Sequence, residues 1–182
     1  FRRYEPLIMT FKKDIKEGYL TAKVIVNTWE EENIADIIYG YGEERYSRRI
    51  AKAIVNYREK KSIETTAELV EIIMNAVPIF YRHGRIHPAV RTFQALRIAV
   101  NDELNTLRKG LVDGFSRLGH DGRMSIISFH SLEDRIVKNF NKEKALSGEA
   151  KTITEKPIIP TENELIENPR SRSAKLRILE KI

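Results

Sequence analysis

A chain of 182 residues can form one or two domains with a real buried core. Hydrophobic content of 41% against 32% charged residues describes a soluble globular protein, with apolar runs far short of a membrane span and no signal-peptide pattern at its start. The absence of cysteine excludes disulfides, thiolate metal sites and cysteine nucleophiles together, and makes a cytoplasmic location the expectation. The chain opens on Phe1 rather than Met, so a longer parent is expected.

The net charge of +6 is concentrated. Arg45, Arg48, Arg49, Lys52, Arg58, Lys60 and Lys61 stand against Glu59 alone, and Arg170, Arg172, Lys175 and Arg177 form a second cluster. Charge focused in this way suits a polyanion such as RNA, although a solvated face has the same composition.

In chain order, residues 1–25 are weakly periodic, with Gly18 as a turn. Thr28 and Glu31 have capping-box spacing and predict a helix with Trp29, Ile34, Ile37, Ile38 and Tyr41 on one face, ended by Gly40 and Gly42. A basic helix over Arg45–Lys61 follows, with Tyr46, Ile50, Ile54 and Tyr57 inside and Arg45, Arg49 and Lys52 outside. Thr65 and Glu68 cap a third helix that Pro78 stops. After the loop Ile79–His87, Pro88 opens a long helical pattern broken near Asn105-Thr106. The turn Gly119–Gly122 leads to a strand ending at Phe129, and a helix starts at once behind Ser131 and Asp134. A possible strand at Lys151–Thr154, a short helix capped by Thr161 and Glu164, and a last strand over Ala174–Glu180 complete the chain. Helix followed by strand–helix–strand predicts an α/β second half.

Few residues offer chemistry. Gly40-Tyr-Gly42 follows a helix instead of a strand, so it reads as a helix terminator and not as a phosphate cradle. His83 and His87 have metal-pair spacing, but Gly84 and Pro88 argue against a shared helix, and no metal is expected. Ser131 reads as a plain N-cap. His130 stands at the carboxyl end of a strand, where open α/β sheets bind ligands, and is either a site residue or structural.

Five segments then add up in order: Leu20-Thr-Ala22 with Asn27-Thr28; Tyr41-Gly-Glu-Glu-Arg-Tyr-Ser-Arg-Arg-Ile-Ala51; His87-Pro-Ala89 with Arg91–Leu104; Ser128-Phe-His-Ser-Leu-Glu-Asp-Arg135; and Asn168-Pro-Arg170 with Arg172–Arg177. Together they resemble the ribosomal RNA small subunit methyltransferase H family over nearly the whole chain. The resemblance implies an S-adenosylmethionine-dependent enzyme that methylates N4 of a cytosine in 16S rRNA. It implies a partial Rossmann-like methyltransferase domain carrying an inserted all-helical domain. On that correspondence residues 1–25 precede the insert, 26–87 are the helical substrate-recognition insert, and 88–182 are the C-terminal part of the catalytic domain. The cofactor-binding strands are expected upstream of Phe1, so no cofactor-binding residue is carried over and weak cofactor binding by this chain alone is expected.

Some positions depart from the family pattern. Pro6-Leu-Ile-Met-Thr-Phe11 stands where Pro-Leu-Asp-Met-Arg-Met is usual, Val24 where Asp is usual and Val90 where Thr is usual, and Gly119-His120-Asp121 replaces a Pro-Gly-type turn.

N4 methylation needs an extruded base and acceptors for its amino protons, with no covalent step through cysteine. Phe129, His130 and Ser131 are the catalytic candidates. Arg45, Arg48, Arg49, Lys52, Arg170, Arg172 and Lys175 are the RNA-binding candidates. The expected partner is 16S rRNA in the small ribosomal subunit, with neither DNA nor membrane. The strand Met124–Phe129 is expected to stand at the exposed edge of an incomplete parallel sheet. The alternative is a non-catalytic RNA-binding or assembly module that keeps the basic insert.

Overall fold

The computed structural model describes residues 4–14 and 18–182, so Phe1, Arg2 and Arg3 of the segment before the insert lie outside the described residues. The chain divides into two compact units, 1–103 and 104–182. Among the described residues no helix is long and apolar enough to cross a membrane.

The first unit is helical: α1 (Ala22–Thr28), α2 (Glu31–Gly42), α3 (Ser47–Arg58), α4 (Thr66–Ala76), a single turn α5 (Ile79–Arg82) and α6 (Ala89–Asn101). Its core is aliphatic, with Ile25, Ile34, Ile38, Ile50, Ile54 and Leu96 fully buried. Two starts differ from the sequence expectation. Thr21 caps α1 by accepting from Val24 N, and this helix lies in a stretch that showed little periodicity. Thr28 belongs to the end of α1, where its hydroxyl donates to Val24 O at 2.8 Å, so it forms no capping box with Glu31. The predicted box at α4 is present. Thr65 Oγ1 accepts from Glu68 N, and Glu68 Oε2 accepts from Thr65 N at 3.0 Å. Hydrogen bonds from Lys61 and then from the backbone of Glu64 and Thr65 bring the Glu68 carboxyl down to about 2.

Gly42 does more than terminate a helix. α2 runs through Gly40 and ends at Gly42, and the left-handed residue is Glu43 (φ 50). A Cβ on Gly42 would meet Arg91 O of α6 at 2.6 Å, so only glycine allows the two helices to approach this closely. From α6, Arg91 Nη1 donates to Glu43 O at 2.6 Å and Gln94 Nε2 to Tyr41 O at 3.0 Å. These side chains satisfy carbonyls that the end of a helix leaves without intrahelical partners.

The segment 4–14 is fastened to the bundle by the fully buried Leu7 side chain and by its main chain. Leu7 N donates to Glu64 O, Thr66 N to Glu5 O, Ala22 N to Ile8 O and Lys23 N to Leu7 O. Asn101 grips both sides of a left-handed Met9 (φ 62), its Nδ2 donating to Met9 O and its Oδ1 accepting from Phe11 N, each at 2.9 Å. The helical break expected near Asn105-Thr106 lies earlier, at Asp102 (φ 48), and α7 (Glu103–Ser116) starts directly behind it. Aspartate tolerates the left-handed region better than most residues, which lets the chain turn without glycine.

The second unit holds most of α7, then β1 (Arg123–Ser128), α8 (Ser131–Leu146), β2 (Ala150–Thr152), α9 (Glu162–Glu167), a 3₁₀ turn (Pro169–Ser173) and β3 (Lys175–Lys181). The sheet order is β1-β3-β2 and both pairings are antiparallel, with Ser125 opposite Ile178 and Lys151 opposite Glu180. This corrects the expected parallel neighbours: β1 is an edge strand, but its partner is the returning last strand. Phe115 and Leu179 bury against Met124 and Phe140, and the rings of Phe115 and Phe140 meet edge to face at 5.9 Å. The architecture is mixed α/β, as expected for part of a methyltransferase fold.

Gly42→Ala is expected to lower stability by about 2 kcal/mol, because backbone must move to admit the new methyl. Gly40→Ala, with nothing within 4 Å of its Cβ, should instead raise stability by about 0.5–1 kcal/mol. Urea denaturation midpoints of the two variants, moving in opposite directions, check both.

Candidate functional site

In the second unit β1 runs out into Phe129 and His130 before α8 begins. The N-cap is His130, not Ser131. His130 Nδ1 accepts from Glu133 N at 3.3 Å, while Glu133 Oε2 accepts from Phe129 N at 2.8 Å and His130 N at 3.3 Å. The S-x-x-D reading was therefore one residue out of register; the local signal was His-x-x-Glu. Accepting on Nδ1 puts the imidazole proton on Nε2, which faces Glu133 Oε1 at 3.4 Å. The three candidates consequently differ in what they present. The Phe129 ring is half exposed, the His130 side chain is largely buried in the cap, and Ser131 is exposed on the first helical turn.

Asp134 is not a capping residue either. Its carboxylate accepts from Arg177 Nε at 2.7 Å and from Lys175 Nζ at 3.2 Å, clipping the start of α8 to β3. Burial pushes this carboxyl up, and the hydrogen bonds and charges of Arg177 and Lys175 outweigh it and hold the group below its ordinary value. Lys175, an RNA candidate by sequence, is thus engaged within the fold. Arg170 and Arg172 stand exposed on the 3₁₀ turn.

The first unit holds the other candidates. The expected Arg45–Lys61 helix is shorter, Ser47–Arg58, and its basic residues do not form one face. Arg58 turns inward and donates to Val26 O at 3.0 Å and Trp29 O at 2.6 Å. Arg45 precedes the helix and lies over the rings of Tyr46 (4.9 Å) and Tyr81 (5.0 Å). Arg49 lies 5.8 Å from the Tyr46 centroid. Arg48 and Lys52, four residues apart, share an exposed side. Arg48 and Arg49 occupy the first turn of α3, which holds no acid and has no side-chain cap at Tyr46. Cations at that end oppose the helix dipole by about 0.3–1 kcal/mol each.

Glu44, Tyr81 and Tyr39 were missed by sequence reasoning. Glu44 is fully buried, and its carboxylate accepts from Tyr46 N at 2.9 Å and from the Tyr81 hydroxyl at 2.7 Å. Burial, and then the Glu44 carboxylate, push the Tyr81 phenol up to about 12. The rings of Tyr46 and Tyr81 meet edge to face at 4.8 Å. A buried acid just ahead of a basic helix was visible in the Gly-Glu-Glu-Arg-Tyr run, but its partner Tyr81 lies far along the chain.

Asp134→Asn is expected to cost about 3 kcal/mol, because it leaves Arg177 buried without its counter-charge. The depressed carboxyl of the parent contributes stability that is full above its ordinary value of 3.8 and is lost as pH falls through the folded value. Acid unfolding curves should show this loss in the parent and not in the variant. Tyr81 has the opposite sign. Its stabilisation is full below the ordinary value of 10.0 and disappears as pH rises towards about 12. Tyr81→Phe should remove the last-ionising tyrosine from a near-ultraviolet absorbance titration and cost about 2 kcal/mol through the lost donor to Glu44.

The family described as the MraW methylase family matches residues 1–182. The "Ribosomal RNA small subunit methyltransferase H" of Synechococcus elongatus is 53% identical over 184 residues, covering 100% of this chain and 58% of the relative. The protein of the same name from Persephonella marina is 48% identical over 182 residues, covering 100% of this chain and 61% of the relative. That from Brevibacillus brevis is 50% identical over 185 residues, covering 92% and 58%. The chain thus spans about three fifths of the length of these relatives, and it belongs to the MraW methylase family.

Proposed function

We propose that this chain forms part of an S-adenosylmethionine-dependent methyltransferase that modifies N4 of a cytosine in 16S rRNA of the small ribosomal subunit, in the cytoplasm. The observation that carries the reading is the family match over residues 1–182, and within that span Arg91, Gln94, Asp134 and Arg177 make hydrogen bonds between elements of their own units. The division into a leading segment (1–25), a helical recognition insert (26–87) and the C-terminal catalytic part (88–182) belongs to the same proposal. The compact helical unit nonetheless extends to Glu103, because α6 packs on α2.

On this reading the cradle for the methyl donor lies outside the described residues. In support of this, the amides of Phe129 and His130 at the β1–α8 turn donate to Glu133, and that of Glu133 donates to the His130 ring. S-adenosylmethionine would supply the methyl group, and the roles of this chain's residues concern the base. Phe129 offers a ring face for an extruded cytosine, and Ser131 offers a hydroxyl beside it for the amino group. His130 sets the backbone that presents both. Arg45, Arg48, Arg49 and Lys52, with Arg170 and Arg172, supply cations for the rRNA backbone.

The test is a chimera in which residues 1–182 replace the matching part of the Synechococcus elongatus relative. It is assayed with labelled S-adenosylmethionine on small subunits lacking the modification. Nucleoside mass spectrometry should find N4-methylcytidine, and Phe129→Ala should reduce the rate about tenfold or more through lost stacking. A methyl group on another atom, or no methylation by a chimera that melts like its parent, overturns the reading.

A further inference from the structure

A cleft of ≈ 380 Å³ opens between α2 and the start of α3, lined by Asp36, Tyr39, Arg45, Tyr46, Arg48 and Arg49. It falls in the size range of small-molecule sites, about 300–1,000 Å³. We propose that this cleft holds one unpaired nucleotide of an RNA strand, its base stacked on Tyr39 and its phosphodiester held by Arg48 and Arg49. The inference rests on the RNA-binding reading above and deepens it from a basic surface to a defined subsite.

Three observations support it. Among the described residues, Arg45, Arg48 and Arg49 have no carboxylate within ion-pair distance. Their guanidinium groups therefore remain available for a planar, bidentate anion such as a phosphodiester. The cleft is also preorganised. Buried Glu44 fixes Tyr46 and Tyr81, and those rings in turn seat Arg45, so less side-chain freedom is lost on binding. Finally, the aromatic groups divide the work. Tyr46 is occupied by the two arginines over its ring, whereas Tyr39 is 67% exposed and offers a stacking face.

Asp36 shapes the choice of ligand. A carboxylate on the α2 side repels a second phosphate, which confines the anion to the arginine side and leaves the base beside Tyr39. An open ring face takes a splayed base and not one stacked within a duplex, so the cleft selects single strands. An acidic peptide would use the arginines without needing Tyr39.

The experiment is fluorescence anisotropy with the 182-residue chain, using a short labelled single-stranded RNA of mixed sequence, the matching duplex, and an acidic peptide, over a range of salt. The single strand is expected to bind about tenfold or more tightly than the duplex. Arg48→Gln with Arg49→Gln should flatten the log–log salt slope by about 1.4, from about 0.7 per phosphate contact. Tyr39→Ala should weaken binding about tenfold with the slope unchanged, and Tyr39→Phe should restore it. All these side chains are exposed, so equal melting temperatures establish that the variants fold. Wild-type affinity in Tyr39→Ala, equal binding of duplex, or preference for the peptide overturns the cleft proposal while leaving a general RNA surface intact. No binding of either RNA by the wild-type chain overturns the RNA-binding reading itself, and the cleft with it.

Discussion

The organisation of the helical unit depends on how closely α2 and α6 approach. Gly42 lets the backbone of Arg91 come near, and Arg91 and Gln94 then satisfy carbonyls at the end of α2. The hydrogen bond from Arg91 to the Glu43 carbonyl helps offset the left-handed conformation of that residue, which costs roughly 1–2 kcal/mol. That reversal delivers Glu44 into the interior and Arg45 to the surface within two residues. The buried carboxylate then organises Tyr46 and Tyr81, and the rings organise the arginines. One missing side chain thus propagates outward, through packing and hydrogen bonding, to a basic surface several residues away.

The second unit adds charge to its apolar packing. Phe115, Ala150 and Leu179 are buried together, and Leu111, Leu132 and Val137 are buried as well. The link between α8 and β3 comes from Asp134 with Arg177 and Lys175, while His130 and Glu133 close the turn ahead of it. Lys181 adds a further tie by donating to Leu118 O at 2.8 Å, next to the turn that enters β1. The same four-residue stretch, His130 to Glu133, therefore ends a strand, starts a helix and presents the Phe129 ring.

Much of this was legible in the sequence wherever local rules decide structure. Thr65 with Glu68 and Thr161 with Glu164 cap the helices they were expected to cap, and the final strand fell within a residue of its observed bounds. Local rules failed where a distant partner overrides them. Thr28 has good capping chemistry, but α1 continues through it, because Ile25 and Val26 are buried in the bundle. His130 displaced Ser131 as the cap because Glu133 reaches both amides of the strand end. The antiparallel partner of β1 lies about fifty residues away, a pairing that period and propensity do not specify. At the candidate site the residue types were legible, but their engagement was not. Arg58 and Lys175 read as surface cations, yet backbone carbonyls hold the first and Asp134 holds the second.

The way the segment 4–14 is fastened bears on how freely its sequence can drift. Apart from the Leu7 side chain, buried in the core, its attachments run through amides and carbonyls of Glu5, Leu7, Ile8, Met9 and Phe11, with Asn101 gripping from elsewhere in the chain. Backbone groups are identical in every residue except proline. The hydrogen bond made by the Ile8 carbonyl therefore does not depend on the side chain at that position. Away from the buried Leu7, then, substitution here can change what the segment offers chemically while leaving where it lies unchanged.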